Sequence, residues 1–181
     1  MRVISGKAKG FKLLSVPGDS TRPISDRVKT SLFNIIGPDI ENANILDLFA
    51  GTGSVGIEAL SRGANFTLFI DNNIRAVSTI KRNLSNTKLG ANARILKSDA
   101  FIYIKNQDAF EFDYIFIAPP QYKELWIKSI SLLDEYPGWL SRNGWIIVQI
   151  HPKEFQEIKL DNFSEFDIRK YGSTLLVFYS S

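Results

Sequence analysis

Cysteine is absent from this chain of 181 residues, which excludes disulfide bonds, thiolate catalysis and cysteine-ligated metal sites. The single histidine, His151, cannot form a zinc site alone, so we expect it to have a structural or surface role and the protein to bind no metal. No apolar run approaches the roughly 20 residues that cross a bilayer, and residues 1–7 lack the apolar region of a signal peptide. We therefore expect a cytoplasmic protein without membrane contact.

The composition, with 44% hydrophobic and 23% charged residues, is that of a globular chain able to bury a sizeable core. We expect one domain over residues 1–181, made of a catalytic core (26–181) and a basic extension (1–25), and a monomeric protein.

Positive charge is concentrated at the amino end of the chain. Residues 1–30 contain seven basic and two acidic residues, whereas the other 151 residues contain fifteen basic and seventeen acidic ones. A polyanion such as nucleic acid could dock on this segment through phosphate contacts, although a solvated segment without a partner explains the charge equally well. The candidate nucleic-acid-binding residues are Arg2, Lys7, Lys9, Arg22 and Arg27.

The most informative stretch is residues 47–55, where an apolar run meets Asp47 and two alternate glycines, Gly51 and Gly53. This pattern predicts a buried parallel strand that turns tightly into a helix, with glycines that let the backbone approach a nucleotide-like cofactor.

Two cofactor classes use such a turn. Residues 51–56 fit the G-x-G-x-x-G pattern of dinucleotide sites, and Asp71 lies twenty residues after Gly51, where an acid would meet a ribose hydroxyl. A site for S-adenosylmethionine adds an acid at the end of the first strand, here Asp47, which can help to hold the cationic amino group of the cofactor. The length also leaves no room for the separate substrate domain of most dehydrogenases, so the pattern favours S-adenosylmethionine over NAD.

Strands and helices are predicted to alternate from residue 45 onward, which indicates an α/β fold with a mostly parallel, doubly wound sheet. Predicted strands cover 45–49, 66–70, 93–97, 114–117 and 145–150, and predicted helices cover 55–61, 74–89, 101–105 and 125–133. Before them we expect a small β-hairpin from 2–5 and 10–14, then a helix capped by Ser25. The strands 166–171 and 174–179 are too close for a parallel crossover and predict an antiparallel hairpin at one edge. This arrangement is that of Rossmann-like methyltransferases.

Side chains at the carboxyl ends of the parallel strands are the candidate site residues, because open α/β sheets bind ligands there. Asp71 can accept hydrogen bonds from both ribose hydroxyls, and Asp99 from the adenine amine. Each acid could instead cap the helix that follows it, but three acids at three successive strand ends favour the ligand site. The candidate cofactor-binding residues are Asp47, Phe49, Ala50, Gly51, Thr52, Gly53, Asp71, Asn72, Asp99 and Ala100, and the candidate catalytic residues are Ala118, Pro119, Pro120 and Tyr122.

Four segments together, residues 2–6, 21–28, 46–64 and 171–174, resemble the RsmD family, whose members methylate a guanine N2 in bacterial small-subunit (16S) ribosomal RNA. The resemblance runs over nearly the whole chain. It implies that Asp47, Gly51, Gly53, Asp71 and Asp99 contact S-adenosylmethionine, that ribosomal RNA in the small subunit or an assembly intermediate is the partner, and that the loop 21–28 borders the substrate entrance.

The chain departs from the family after the fourth strand. The family usually has Asp or Asn, then Pro-Pro, then Tyr or Phe, whereas this chain has Ala118 before the prolines and Tyr122 one place late. Ala118 offers no side-chain acceptor for the target amine, although the carbonyls of Ala118 and Pro119 can still accept. Tyr122 is equally suited to stack on a flipped base or to pack against the next helix.

Three alternatives remain open at this point. The protein could be a catalytically weakened or inactive RNA-binding or ribosome-assembly factor that lost its acceptor, a nicotinamide enzyme, or an N-methyltransferase for DNA adenine or a protein amide.

Overall fold

The computed structural model describes residues 1–18, 24–106 and 110–181. Within them lie seven strands: β1 (Asn44–Leu48), β2 (Phe66–Asp71), β3 (Ala93–Lys97), β4 (Phe112–Ile117), β5 (Leu140–Ile150), β6 (Ser164–Tyr171) and β7 (Thr174–Ser180). The same residues form five α-helices: α1 (Asp26–Ile36), α2 (Ser54–Ser61), α3 (Ile74–Thr87), α4 (Ala100–Lys105) and α5 (Leu125–Glu135).

All seven strands belong to one sheet in the order β3-β2-β1-β4-β5-β7-β6. The strands β1 to β5 pair in parallel, and β7 inserts antiparallel between β5 and β6. Only Gly172 and Ser173 separate β6 from β7, so the connection is a tight turn with Gly172 at a φ of 59°. The predicted doubly wound sheet with a terminal hairpin is confirmed.

Helices cover both faces of the sheet because alternate strand residues point to opposite sides. On one face, Leu46 and Leu48 of β1 pack in a buried cluster with Trp126 and Ile130 of α5. On the other face, Ile45 of β1 packs with the apolar side of α1, and the helices α2 and α3 share a third cluster with Phe69 of β2. Each fully buried side chain of this size contributes about 1.5–3 kcal/mol to folding.

An amino-terminal arm, residues 1–16, packs against α2 and α3. Val3, Ala8 and Leu13 of the arm are buried in one cluster with Leu60 of α2 and Leu84 of α3. The predicted hairpin is present in short form: the antiparallel bridge between Arg2 and Lys12 is flanked by backbone hydrogen bonds from the Val3 N–H to the Phe11 carbonyl and from the Leu13 N–H to the Met1 carbonyl. Other N–H groups of the arm, those of Ile4, Ser5, Ala8 and Leu14, donate to side chains of α2 and α3.

Strand β5 begins five residues before the predicted start at Trp145. The apolar run that predicted this strand begins at Trp145, but Leu140 already pairs with Phe112 of β4 across a register shift. Pairing with β4 therefore extends the strand beyond its apolar run. No helix in the described part of the chain combines the length and the apolar character needed to span a membrane.

Candidate active site

The turn after β1, residues 49–53 and called here the glycine turn, is built from alternating left-handed residues. Phe49, Gly51 and Gly53 have φ angles of 62°, 55° and 74°. For Phe49 this conformation is strained, and its ring is held edge-on against Phe101 with the ring centres 6.0 Å apart. A Cβ on Gly51 would meet only the Phe49 carbonyl oxygen, at 4.0 Å, so the turn leaves room beside Gly51 for a ligand.

The third glycine of the G-x-G-x-x-G pattern serves packing instead. A Cβ on Gly56 would overlap the ring of Phe69 and the methyl group of Thr67, both on β2. Gly56 therefore sets how closely α2 lies on the sheet, which either cofactor class requires. It does not discriminate between NAD and S-adenosylmethionine.

Asp47 lies buried at the carboxyl end of β1, and its Oδ2 accepts a hydrogen bond of 3.2 Å from the Gly56 N–H. Burial raises the pKa of Asp47 to about 8; the neighbouring Asp71 raises it too, while the Gly56 hydrogen bond lowers it. A cationic group placed beside this carboxylate would stabilise the ionised form. The site therefore has a buried acid with a physical preference for a positively charged ligand.

Asp71, at the end of β2, holds the glycine turn to the loop before α3. Its Oδ2 accepts from the Gly51 N–H and its Oδ1 from the Asn73 N–H, both at 2.8 Å. A carboxylate has about four acceptor positions, so two remain for hydroxyl groups of a ligand. The sequence suggested that Asp71 could cap α3, but the capping side chain is that of Asn73, which accepts from the Arg75 N–H.

Asp99, at the start of α4, is the helix cap that the sequence allowed. Its Oδ1 accepts from the N–H groups of Phe101 and Ile102, at 2.8 and 3.1 Å. Both of these bonds use Oδ1, so a cap and a ligand contact through Oδ2 are compatible. Of the other candidate cofactor residues, Ala50, Thr52 and Ala100 are buried and Asn72 is exposed.

Two polar residues behind the glycine turn were missed by sequence reasoning. The Asn83 amide of α3 donates to the Thr52 carbonyl at 2.9 Å and to the Leu14 carbonyl at 3.1 Å, and its Oδ1 accepts from the Leu14 N–H. The ammonium group of Lys29 on α1 donates to Ser54 Oγ at 3.0 Å and to the Arg2 carbonyl at 2.7 Å. Both side chains are fully buried and join the arm to the turn. The sequence did carry a signal for both residues, since each is a polar residue at a helix position that lies among buried ones.

The candidate catalytic residues lie in the acceptor loop, residues 118–124, which follows β4. Ala118 packs at the edge of the buried cluster that contains Ile45 and the apolar side of α1. Pro119 is buried and Pro120 is exposed. Tyr122 is 66% exposed and has a φ of 60°. The centre of its ring lies 5.8 Å from the centre of the His151 ring.

Glu154 anchors this loop and was not predicted. Its Oε2 accepts from the Tyr122 N–H at 2.6 Å, and its Oε1 accepts from the His151 N–H at 3.1 Å. His151 in turn accepts through Nδ1 from the Lys153 N–H, so it caps a short 3₁₀ turn after β5. A cavity of about 370 Å³ lies beside the loop, lined by residues that include Tyr122, Trp126 and Glu154. A second cavity, of about 420 Å³, lies at the opposite end of the strands beside Asn42 and Asp113, away from the glycine turn.

The candidate RNA-binding residues occupy the arm and the start of α1. Lys7, Lys9 and Arg27 are exposed, and Arg2 pairs with Asp26 at 3.4 Å while staying largely exposed. Arg22 lies outside the described residues, as do the first three residues of the loop 21–28. The last three residues of that loop, Asp26 to Val28, form the first turn of α1 instead.

Comparison with known proteins matches residues 1–180 to the family model described as Conserved hypothetical protein 95. The Bacillus subtilis protein YlbH, provisionally named an rRNA methyltransferase, is 43% identical over 159 residues, which are 86% of this chain and 85% of YlbH. Ribosomal RNA small subunit methyltransferase D of Escherichia coli K12 is 36% identical over 149 residues, 82% of this chain and 74% of the relative.

Among solved structures, the Escherichia coli protein yhhF, provisionally named a methyltransferase, superposes with a TM-score of 0.86 at 32% identity. The match covers 99% of this chain and 96% of that one. The likeness thus extends over the arm, the sheet and the terminal hairpin. This chain belongs to the family Conserved hypothetical protein 95, the RsmD family that its sequence resembles.

Proposed function

We propose that this protein transfers a methyl group from S-adenosylmethionine to the N2 amine of a guanine in small-subunit ribosomal RNA. The observation that carries the proposal is the carboxylate of Asp47, buried beside a glycine turn whose outer side is open at Gly51. The relatives named as rRNA methyltransferases support the substrate class, and the basic arm supports a polyanionic partner.

The residues at this edge of the sheet fit the cofactor. Asp47 would hold its cationic amino group, the free acceptor positions of Asp71 would take the ribose hydroxyls, and Asp99 would accept from the adenine amine. Gly51 and Gly53 let the backbone approach, with Phe49, Ala50, Thr52, Asn72 and Ala100 forming the adjoining walls. When bound, S-adenosylmethionine supplies an electrophilic methyl group on a sulfonium sulfur.

The acceptor loop would hold the guanine after it has been turned out of its helix. An aromatic amine is a poor nucleophile because its lone pair is delocalised, and acceptors for its two hydrogens direct that lone pair toward the methyl group. Without an acid at Ala118, the carbonyls of Ala118 and Pro119 take this role, and positioning supplies most of the remaining catalysis. Pro120 limits the conformations of the loop, and the exposed ring of Tyr122 would stack on the base.

The same reasoning assigns roles to the two parts of the chain. Residues 26–181 would form the catalytic core, and residues 1–25 an RNA-contacting extension. The extension would contact RNA through Arg2, Lys7, Lys9 and Arg22, joined by Arg27 at the start of α1. Because the arm is packed on α2 and α3, it would present Arg2, Lys7 and Lys9 from a fixed position.

A methyl-transfer assay tests the proposal. Purified protein is incubated with methyl-labelled S-adenosylmethionine and small subunits, their assembly intermediates or free ribosomal RNA, and the product nucleoside is identified by mass spectrometry. We expect N2-methylguanosine from one of these substrates and none with Asp47→Asn. A product on adenine or on protein, or no product where a related enzyme is active, would contradict the proposal.

A second function is favoured by one observation, the missing acceptor at Ala118. The chain would then be an assembly factor that binds RNA and the cofactor but does not turn over. Losing a well-placed acceptor costs about 10²–10³ in methyl-transfer rate. If the chain is instead a slow methyltransferase, we expect Ala118→Asp to increase its rate by up to that factor. Cofactor binding without turnover in both the natural chain and Ala118→Asp would favour the assembly factor.

A further inference from the structure

A second basic segment lies outside the amino-terminal arm. The 27 residues between Asp71 and Asp99 contain no acidic residue and six basic ones, Arg75, Lys81, Arg82, Lys88, Arg94 and Lys97. All six are exposed. Outside this segment and residues 1–30, the chain has nine basic and seventeen acidic residues. The net positive charge of the chain thus comes from two separate parts of the sequence.

The tertiary structure brings these two parts together. Helix α3 lies beside the arm because Asn83 bonds both backbone groups of Leu14, at 2.8 and 3.1 Å, and Leu84 packs with Val3 and Leu13. The exposed lysines of the arm, Lys7, Lys9 and Lys12, therefore stand on the same face of the sheet as α3.

The charges of α3 are ordered along the helix and available for a partner. Arg75 and Arg82 are seven residues apart, so this pair repeats after about two helical turns on the exposed side. Lys88, seven residues after Lys81, is the left-handed residue that directly follows the helix. Among the described residues, the ion pairs involve Arg2, Lys29, Arg62 and Arg169, and none of the four basic residues at α3.

The remaining two charges have a sufficient explanation without RNA. Arg94 and Lys97 lie on β3, which pairs with β2 and forms one edge of the sheet among the described strands. Charged residues on an edge strand prevent it from pairing with another chain. No such explanation applies to α3, because the backbone N–H and C=O groups of a helix are hydrogen-bonded within the helix and offer no edge for another chain. The further inference therefore concerns α3 alone.

We propose that the exposed side of α3, with Arg75, Lys81 and Arg82, and the residue Lys88 that follows it bind the phosphate backbone of the RNA substrate and extend the footprint of the arm. This rests on the proposed function, since it assumes an RNA substrate. Phosphate contacts fix the register and orientation of a nucleic acid without reading its sequence. The role of α3 is thus to orient the RNA while the acceptor loop takes the base.

The test compares two triple variants with the natural chain. The first is Lys81→Gln, Arg82→Gln and Lys88→Gln. The matched control removes three exposed charges that lie on neither α3 nor the arm, Lys105→Gln, Lys159→Gln and Lys170→Gln. The Kd for a transcript of small-subunit ribosomal RNA is measured by filter binding over a range of salt concentrations, and that for S-adenosylhomocysteine by calorimetry.

For the α3 variant we expect the RNA Kd to rise about 10-fold or more at low salt, and the slope of log K against log salt to fall by about 2, the loss of three phosphate contacts. Its affinity for S-adenosylhomocysteine should not change. A second variant, Lys81→Glu with Arg82→Glu, should weaken RNA binding further, because it adds repulsion at positions already exposed to solvent.

An α3 variant that binds RNA with the Kd and salt slope of the control would overturn the inference. If the natural chain binds RNA through α3 but produces no methylated guanine, the proposed function fails and this surface stands. If the natural chain methylates RNA and the α3 variant binds normally, only the surface fails. A natural chain without RNA affinity contradicts both.

Discussion

The ammonium group of Lys29 lies 3.4 Å from the carboxylate of Glu58, and neither side chain is exposed to solvent. Burial lowers the pKa of Lys29, and the attraction of Glu58 opposes that effect. Glu58 also accepts from the N–H groups of Ile4 and Ser5 and pairs with Arg62 at 2.8 Å. One buried carboxylate thus joins α1, α2 and the arm.

Removing Lys29 should release the arm. We expect Lys29→Met to lower the free energy of unfolding by about 3 kcal/mol, the lower end of the range for a broken buried pair, because Arg62 remains beside Glu58. Amide hydrogen exchange at Ile4 and Ser5 should also become faster. Arg169→Gln, which breaks an exposed pair with Asp167, is the control and should leave both measurements unchanged. A Lys29→Met protein as stable as the natural chain would show that the pair does not hold the arm.

Asp47→Asn should abolish cofactor binding and stabilise the empty protein. The pKa of Asp47 is raised from 3.8 to about 8 by burial, so its contribution to stability is full below pH 4 and is lost as the pH rises to about 8. The variant should therefore unfold at nearly the natural temperature at pH 4 and be more stable by about 1–3 kcal/mol above pH 8. Thermal unfolding across this pH range measures the difference. A constant difference at all pH values would contradict the buried, proton-binding acid.

Alanine should mainly weaken ligand binding at Gly51 and mainly lower stability at Gly56. Gly56→Ala forces a methyl group into the Phe69 ring, and we expect a loss of about 1–3 kcal/mol in stability. Gly51→Ala meets no close atom and bears only the strain of its φ of 55°, about 1 kcal/mol, but it fills the ligand side of the turn. Unfolding and S-adenosylhomocysteine titration of both variants separate the effects. Weaker binding should dominate for Gly51→Ala, and equal binding by both variants would argue against a ligand beside Gly51.

Glu154→Gln should slow methyl transfer without weakening cofactor binding. The amide can accept from only one of the two N–H groups that the carboxylate holds, those of Tyr122 and His151. The acceptor loop would lose its fixed position, and we expect turnover to fall about 10- to 100-fold. Glu157→Gln, an exposed neighbour, is the matched control. A lower affinity for S-adenosylhomocysteine, with turnover unchanged, would assign Glu154 to the cofactor site instead.

Local sequence patterns were enough to predict the order of strands and helices, the glycine turn and the strand ends at which Asp47, Asp71 and Asp99 lie. These features follow from local rules: apolar runs bounded by turn residues, alternation of strands and helices, and glycine where the backbone is left-handed. The family resemblance was equally a property of the sequence, because it rests on consecutive residues such as 46–64.

Which distant residues meet depends on how the chain packs in three dimensions. Glu154 reaches Tyr122 across 32 residues, Asn83 reaches Leu14 across 69, and α3 brings its basic side next to the arm. No local pattern encodes these contacts, because they depend on how the helices pack on the two faces of the sheet. The arm shows both sides: its strand-like pieces around residues 6–10 indicated the short hairpin, whereas its hydrogen bonds with α2 and α3 depend on the packing of those helices.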